Sequence, residues 1–363
     1  MTSSNMDSID FNKILNNTLK IFFKDALRTA VTNPLQAVFF VKTLNWQKQA
    51  AKIRKQWETQ GLHVPPIIVF SVTSQCNLHC KGCYHQTLRQ KPNKDISDER
   101  LRKAIAEAKE LGISFIVFGG GEPLMRPNIL DIPKDYPEIM FLMFTNGLLI
   151  NEAVLKKMNE KRNVIPLLSL EGYQTDTDER RGKGVYEILQ TSIAKLKENG
   201  TFWGTSITLT RNNFDEVTDE NFVKKLVNAG CRLFMLVEYT PVKEDTKDWV
   251  LTETQRLELV KRRDSFRKNY PAVFIALPWD EEEIGGCLSA GRGFIHISAD
   301  GNVEPCPFIP YSDTNLNNVS LKEALQSKML RTIRENHEQL EETHGCALWQ
   351  KKEWVKSLAK PAD

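Results

Sequence analysis

No apolar run in this 363-residue chain approaches the length of a membrane span; the most apolar N-terminal stretch, Ala37-Val-Phe-Phe-Val41, is stopped by Lys42. Met1–Asp10 is polar and lacks the basic-then-apolar order of a secretory signal, so none is expected. There is no low-complexity tract and no internal repeat. Cysteine is sparse and odd in number, with seven in all. Secreted disulfide scaffolds are short and cysteine-dense, so this pattern predicts a reducing cytosol and thiols spent on metal. The composition, 41% hydrophobic and 26% charged, is that of a globular chain long enough for one large α/β domain with appendages. No nucleic-acid partner is expected.

Six of the seven cysteines fall in or near two places. The first is Ser71-Val-Thr-Ser-Gln-Cys76-Asn-Leu-His-Cys80-Lys-Gly-Cys83-Tyr84, directly after the β-branched run Ile67-Ile68-Val69-Phe70, which reads as a buried strand. Gaps of three and then two let one loop fold its thiolates around a single centre. Three thiolates leave one iron of a four-iron cluster without a protein ligand, where a small molecule can be held. A zinc loop completed by His79 or His85 is the competing reading, with three inert core thiols as another.

Strands and helices alternate from Pro66 onward. Strands are expected at Ile67–Phe70, Ile113–Phe118, Met140–Thr145, Val164–Leu170, Thr205–Thr210, Arg232–Glu238 and Val273–Leu277. Helices are expected from Ser97 to Leu111, over Val185–Asn199, near Glu220–Ala229 and around Thr252–Asn269. Repeated βα units predict a parallel sheet with its ligand at the carboxyl ends of the strands. Seven strands are too few for a closed eight-stranded barrel, so an open, partial (β/α) barrel is expected.

The spacing Cys76-x3-Cys80-x2-Cys83, with Asn77 and Tyr84, resembles the cluster loop of the radical S-adenosylmethionine (SAM) superfamily. In that family the open iron of a [4Fe-4S] cluster chelates SAM, and one electron cleaves the sulfonium to methionine and a 5′-deoxyadenosyl radical. The resemblance extends over roughly Pro66 to Pro307 and implies the same partial barrel. Gly120-Gly121-Glu122-Pro123 matches the stretch that binds the SAM amine. Thr145-Asn146-Gly147 and Ser169-Leu170-Glu171-Gly172 resemble segments that face the ribose, with Glu171 one methylene longer than the usual aspartate. Arg181, in an Arg-Gly-x-Gly stretch, could pair with the SAM carboxylate. The departure is Gly82, where an aromatic residue commonly packs near the adenine. Thr210, Asn212, Asn213 and Glu238-Tyr239-Thr240-Pro241 follow later strands and are secondary candidates. An electron donor such as flavodoxin or ferredoxin is implied, with an unidentified substrate. No residue is assigned as catalytic.

Near the C-terminus, Asp300-Gly301 between alternating apolar residues signals a hairpin that would draw Cys287 and Cys306 together. The spacing resembles the opening of SPASM and twitch extensions, which hold auxiliary iron–sulfur clusters. With only Cys231, Cys287, Cys306 and Cys346 left outside the first loop, two such clusters are not expected. One auxiliary cluster on Cys287, Cys306 and Cys346 is the reading, completed by substrate or a non-cysteine side chain. A zinc site using His344 is its rival. Cys231 reads as a buried small hydrophobe.

The expected division is an N-terminal segment of basic amphipathic helices (1–64), the barrel core (65–280) and the cysteine-bearing extension (281–363). Nine basic residues and one acid between Phe11 and Trp57 give that stretch +8, leaving −5 elsewhere in a chain of net +3. Helices over Phe11–Leu27 and Leu35–Trp57, the second with Leu35, Phe39, Trp46, Ala50, Ile53 and Trp57 as its stripe, could cover the barrel. Alternatively they lie on anionic lipid, making a cytoplasmic protein peripheral at the membrane. A non-catalytic metal-binding scaffold whose basic N-terminus meets a membrane or protein is the contrasting functional class.

Overall fold

The computed structural model describes residues 34–89, 94–282, 285–340 and 345–359. The expected helix Phe11–Leu27 and His344 lie outside the described residues.

Strands β1 (Ile67–Thr73), β2 (Phe115–Gly120), β3 (Met140–Thr145), β4 (Val164–Ser169), β5 (Trp203–Leu209), β6 (Cys231–Glu238) and β7 (Val273–Leu277) form one parallel run. Their order is sequential, each beside the next. Helices connect them, and local chemistry sets their ends. Ser97 caps the helix Asp98–Glu110 by accepting from the Arg100 amide, and Gly112, at φ 82°, ends the turn beyond it. Thr252 and Gln255 form a capping box at the start of Glu253–Asn269.

The count of seven strands is corrected by the extension. Strand β8 (Phe294–Ile297) lies parallel to β1 on the sheet's free side and turns through Asp300-Gly301 into antiparallel β9 (Val303–Glu304). The hairpin was legible, but four residues with a histidine among them carry no sign of also joining the core sheet. Among the described residues the sheet therefore has eight parallel strands and remains open between β7 and β9.

Helix α1 (Pro34–Thr59) packs at the amino ends of the strands. Phe39 and Phe40 enter a cluster with Phe115, Met140, Leu142, Ile165, Leu167 and Val273 on the sheet's inner face. The rings of Phe40 and Phe202 meet edge-on with centroids 5.0 Å apart. Gln47 accepts from Ser114 Oγ at 2.6 Å, and Arg54 Nη1 donates to the Gly112 carbonyl at 2.5 Å. Burial pushes the Arg54 guanidinium down to about 10. The buried face is thus Gln36, Phe39, Phe40, Thr43, Gln47 and Arg54, and Leu35, expected on the packed stripe, is 62% exposed. Val38 and Val41 are exposed beside it, because the helix meets the sheet one residue around from the expected stripe. No helix among the described residues is long and apolar enough to cross a membrane.

Candidate functional site

With its amino end closed by α1, the sheet presents its other end to ligands, and the expected site residues gather there. Cys76, Cys80 and Cys83 lie in the loop after β1, all half-buried. Asp95 pins the loop's base: its carboxylate accepts from Thr73 Oγ1 (2.6 Å), the Ser74 amide (2.9 Å) and Ser74 Oγ (2.9 Å). The loop's far side is tied to the helix Gln174–Arg181, the Lys81 amide donating to the Arg180 carbonyl at 2.8 Å.

The glycine run after β2 makes its close approach to this loop. A Cβ on Gly121 would stand 1.9 Å from the Gln75 carbonyl oxygen, and one on Gly120, at φ 108°, 2.5 Å from that of Thr73. Backbone hydrogen bonds fill the space, from the Gly121 amide to Thr73 (2.8 Å) and from the Glu122 amide to Gln75 (2.8 Å). Only residues without a side chain permit that contact.

Glu122 is buried, and its carboxylate accepts from Thr145 Oγ1 (2.7 Å) and from the amides of Asn146 (2.7 Å) and Leu124 (3.1 Å). Burial raises its pKa, against these donors and the Arg181 charge. A carboxylate has about four lone-pair sites, so three protein donors leave one for an ammonium group. Pro123, buried, opens the short turn that Glu122 caps. Thr145, expected to face a ribose, spends its hydroxyl locally: it donates to Glu122 and accepts from the Gly147 amide at 3.1 Å. Ser169 is half-buried at the end of β4.

Glu171 and Arg181 meet each other. Arg181 Nε and Nη2 donate to Glu171 Oε1 at 2.9 and 2.5 Å, and its Nη1 lies 3.9 Å from Cys80 Sγ. Arg180 Nη1 is 2.6 Å from the same carboxylate oxygen, although aligned too poorly for a hydrogen bond. Burial opposes the Arg181 charge, but Glu171 and the thiols of Cys80 and Cys83 outweigh it and hold its pKa above the usual value. A cation stationed on a cysteine sulfur favours thiolate there. Asn213, one of the secondary candidates, donates its amide to the Glu171 carbonyl at 2.9 Å and braces this loop from β5.

The thiols suit a cluster. Cys80 and Cys83 line one cavity of about 220 Å³ with Gln86, Thr87 and Lys243. Among the described residues no three His, Cys, Asp or Glu side chains are placed to share a single metal ion. His85 is buried, and the groups that perturb it are Arg89, Ser74, His296 and Asp95, none of them a thiol. Burial pushes the Cys76 thiol up to about 11 and raises Cys80 as well, so ligation there releases protons.

Gly82, at φ 66°, has no room for a side chain. A Cβ there would stand 2.7 Å from the Tyr239 hydroxyl and 2.8 Å from the Trp249 ring. These two rings pack 5.2 Å apart and occupy that space from β6 and the segment beyond it. Sequence reading had no signal for Trp249. Gly82→Phe should therefore cost iron content, measured after anaerobic reconstitution, rather than restore a missing contact.

In the extension, Cys287, Cys306 and Cys346 come near enough for their charges to perturb one another. Burial raises all three, Cys346 to about 11. Cys231 is fully buried at the start of β6, where burial raises it to about 12. The two cysteine regions adjoin: the ring of Tyr84, next to Cys83, meets that of Phe308 at 4.9 Å, two residues beyond Cys306. A buried chain also joins them, with Ser71 Oγ 2.8 Å from His296 Nε2, His296 Nδ1 2.7 Å from Glu304 Oε2, and Arg89 Nη1 donating to Glu304 Oε1 at 2.9 Å. None of its members was singled out from sequence, since they come from three distant segments.

An open parallel barrel with a three-thiol loop at the carboxyl end of its first strand defines a class of enzyme built around an iron–sulfur cluster. The family description "Radical SAM superfamily" matches residues 70–234, and that of an iron–sulfur cluster-binding SPASM domain matches residues 287–347. The chain belongs to the radical SAM superfamily and carries a SPASM-type extension. It is a radical SAM enzyme whose cofactors are a [4Fe-4S] cluster and SAM, with auxiliary iron–sulfur in the extension. It is 23% identical over 303 residues to the AdoMet-dependent heme synthase of Methanosarcina barkeri, covering 76% of this chain and 86% of that protein. It is 24% identical to the mycofactocin maturase MftC of Mycolicibacterium smegmatis, covering 78% of this chain and 76% of that one. The fold resembles that of Streptococcus suis SuiB bound to S-adenosylmethionine (TM-score 0.64, 16% identity, 79% of this chain and 72% of that one).

Proposed function

We propose that Cys76, Cys80 and Cys83 hold the [4Fe-4S] cluster and that the protein abstracts hydrogen from an unactivated C–H bond of a substrate lodged inside the barrel. When bound, the cluster supplies an open iron for SAM and the electron that cleaves its sulfonium. The chain's own residues do the positioning. Gly120 and Gly121 lock the cysteine loop against β2, and Glu122, Pro123 and Thr145 form a fixed carboxylate site with one free lone pair for the SAM amine. Ser169 offers a hydroxyl to the ribose, and Arg181 is aimed by Glu171 at the edge of the cluster, within reach of the SAM carboxylate.

The observation that carries the substrate reading is the barrel's inner wall. Above the packed cluster at its base, Val117, Phe144, Val237 and Ile275 line the inner face without being fully buried. An apolar, partly open wall below the radical's place of origin suits the hydrocarbon part of a substrate and keeps water from the radical. Tetrapyrroles and peptide side chains, the substrate types of its relatives' names, both present such groups. The test is anaerobic reconstitution with SAM and a reductant, dithionite or reduced flavodoxin. Formation of 5′-deoxyadenosine is expected, and its absence from iron-replete protein would sink the reading. Deuterium transfer into 5′-deoxyadenosine from labelled iron-coproporphyrin or from labelled precursor peptide then selects the substrate.

A peripheral membrane contact belongs to the same proposal. Exposed Leu35, Val38 and Val41 are followed by Lys42, Lys48 and Lys52, a surface suited to anionic lipid. Each lysine near such a surface contributes ~1 kcal/mol, screened by salt. Co-sedimentation with phosphatidylserine vesicles should fall several-fold between low and high salt and vanish on neutral vesicles. No sedimentation at low salt ends that reading.

A further inference from the structure

The cysteine loop of the first site begins where β1 ends and finishes in the short helix Tyr84–Leu88, which starts directly after Cys83. That helix moves with the loop. Thr87 Oγ1 donates to the Cys83 carbonyl at 2.8 Å, and Gln86 Nε2 reaches back to the Leu78 carbonyl at 2.6 Å, between Cys76 and Cys80. Arg89 caps the helix, its amide donating to the His85 carbonyl at 3.0 Å. A displacement of Arg89 is therefore carried to Cys83 and to the middle of the loop.

Both ends of this loop are held by one carboxylate of the extension. Glu304, in β9, is buried and accepts from Arg89 twice, Oε1 from Nη1 at 2.9 Å and Oε2 from Nη2 at 2.5 Å. Arg89 Nη2 also lies 3.5 Å from the Pro307 carbonyl. On its other side Glu304 Oε2 stands 2.7 Å from His296 Nδ1, and His296 Nε2 stands 2.8 Å from Ser71 Oγ in β1. Facing a guanidinium, Glu304 acts as an acceptor only, so His296 donates from Nδ1 and its Nε2 accepts from Ser71. Ser71 and Arg89 flank the three cysteines, and Glu304 grips both.

We propose that Glu304 and Arg89 are positioning residues for SAM cleavage: the extension's hairpin clasps the two ends of the cysteine loop and sets where the cluster presents its open iron. The proposal rests on the reading that Cys76, Cys80 and Cys83 hold that cluster. Neither residue is a ligand, and each acts through the loop. A reacting constellation tolerates displacements of only ~0.5 Å, so a loosened loop loses rate before it loses its metal. The clasp is a charge pair shut away from water. Removing one partner strands the other at a cost to stability, whereas removing both strands neither. The Tyr84 ring against Phe308 and the Asp95 bonds at the loop's base remain in either case.

The test uses the full chain, reconstituted anaerobically. Arg89→Met and Glu304→Gln should each keep the iron of the wild type and melt at a lower temperature. Each should also lose about tenfold or more in the rate of 5′-deoxyadenosine formation at saturating SAM. The change that SAM makes in the EPR spectrum of the reduced protein should weaken in parallel. The double variant Arg89→Met/Glu304→Gln should regain most of the melting temperature while SAM cleavage stays low, a split that a merely structural role would not give. Arg89→Lys, which keeps the charge but not the two-pronged grip, should fall between wild type and Arg89→Met. Wild-type cleavage and EPR response in Arg89→Met, or recovery of cleavage in step with melting temperature in the double variant, would overturn the proposal. Failure of Arg89→Lys to fold would overturn it too, by making Arg89 a residue of the fold alone. Iron-replete wild type that forms no 5′-deoxyadenosine would overturn the reading of the first site and this one with it.

Discussion

Replacing Cys76, Cys80 and Cys83 together by alanine should remove about four irons per chain and abolish reductive cleavage of SAM. The loss should be complete because no other side chain among the described residues is placed to substitute. No hydrogen bond joins His85 to the thiols, and the extension's cysteines belong to a separate site across the Tyr84–Phe308 contact. The fold should survive. The loop's base is held by Asp95 and by backbone bonds to Gly121 and Glu122, none of which uses a thiol. Iron analysis, circular dichroism and 5′-deoxyadenosine assay check the three parts. Full activity in the triple variant would remove the central assignment. Cys287→Ala or Cys306→Ala, by contrast, should lower iron while leaving SAM cleavage at least partly intact.

Much of this site could be read from the sequence because its chemistry is carried by short, contiguous segments at strand ends. Cys76 to Cys83, Gly119 to Pro123 and Ser169 to Gly172 each follow a strand whose apolar run is unmistakable, and the alternation of strand and helix places them at one end of the sheet. The helix caps at Ser97 and Thr252 are local signals of the same kind. What stayed hidden is what depends on residues far apart in the chain. β8 joins β1 across more than two hundred residues, and its four-residue length offers no periodicity to detect. Glu122 and Arg181 were both legible as charged groups. Their partners Thr145, Glu171 and Cys80 were individually legible as well, but the pairing was not. The consequence is chemical: Thr145 and Glu171 aim other residues and are themselves only secondarily available to SAM. Trp249 carries no motif at all and acquires meaning only from its neighbour Gly82.

Gly119 and Gly121, two residues apart, should respond very differently to the same substitution. A methyl group on Gly121 would be driven to within 1.9 Å of the Gln75 carbonyl oxygen and 2.5 Å of its carbon, both backbone atoms that no rotamer can move aside. Relief requires separating the glycine run from the cysteine loop, which breaks the Gly121–Thr73 and Glu122–Gln75 hydrogen bonds at once. The cost should exceed the ~1–3 kcal/mol typical of an overpacked core, because the clash is with main chain on both sides. Displacement of Gln75 also moves Cys76, its neighbour, and tilts the carboxylate of Glu122. Gly121→Ala should therefore lower the melting temperature and lose most of the first cluster's iron, with SAM cleavage falling in proportion. Gly119 meets nothing within 4 Å of an added Cβ and has no positive φ to protect. Gly119→Ala should keep its stability and its iron. Its side of the strand faces the barrel interior, so any effect should be confined to SAM or substrate affinity. Equal iron loss in the two variants would mean that the glycine run does not set the cysteine loop, and that Gly120 and Gly121 serve the ligand instead.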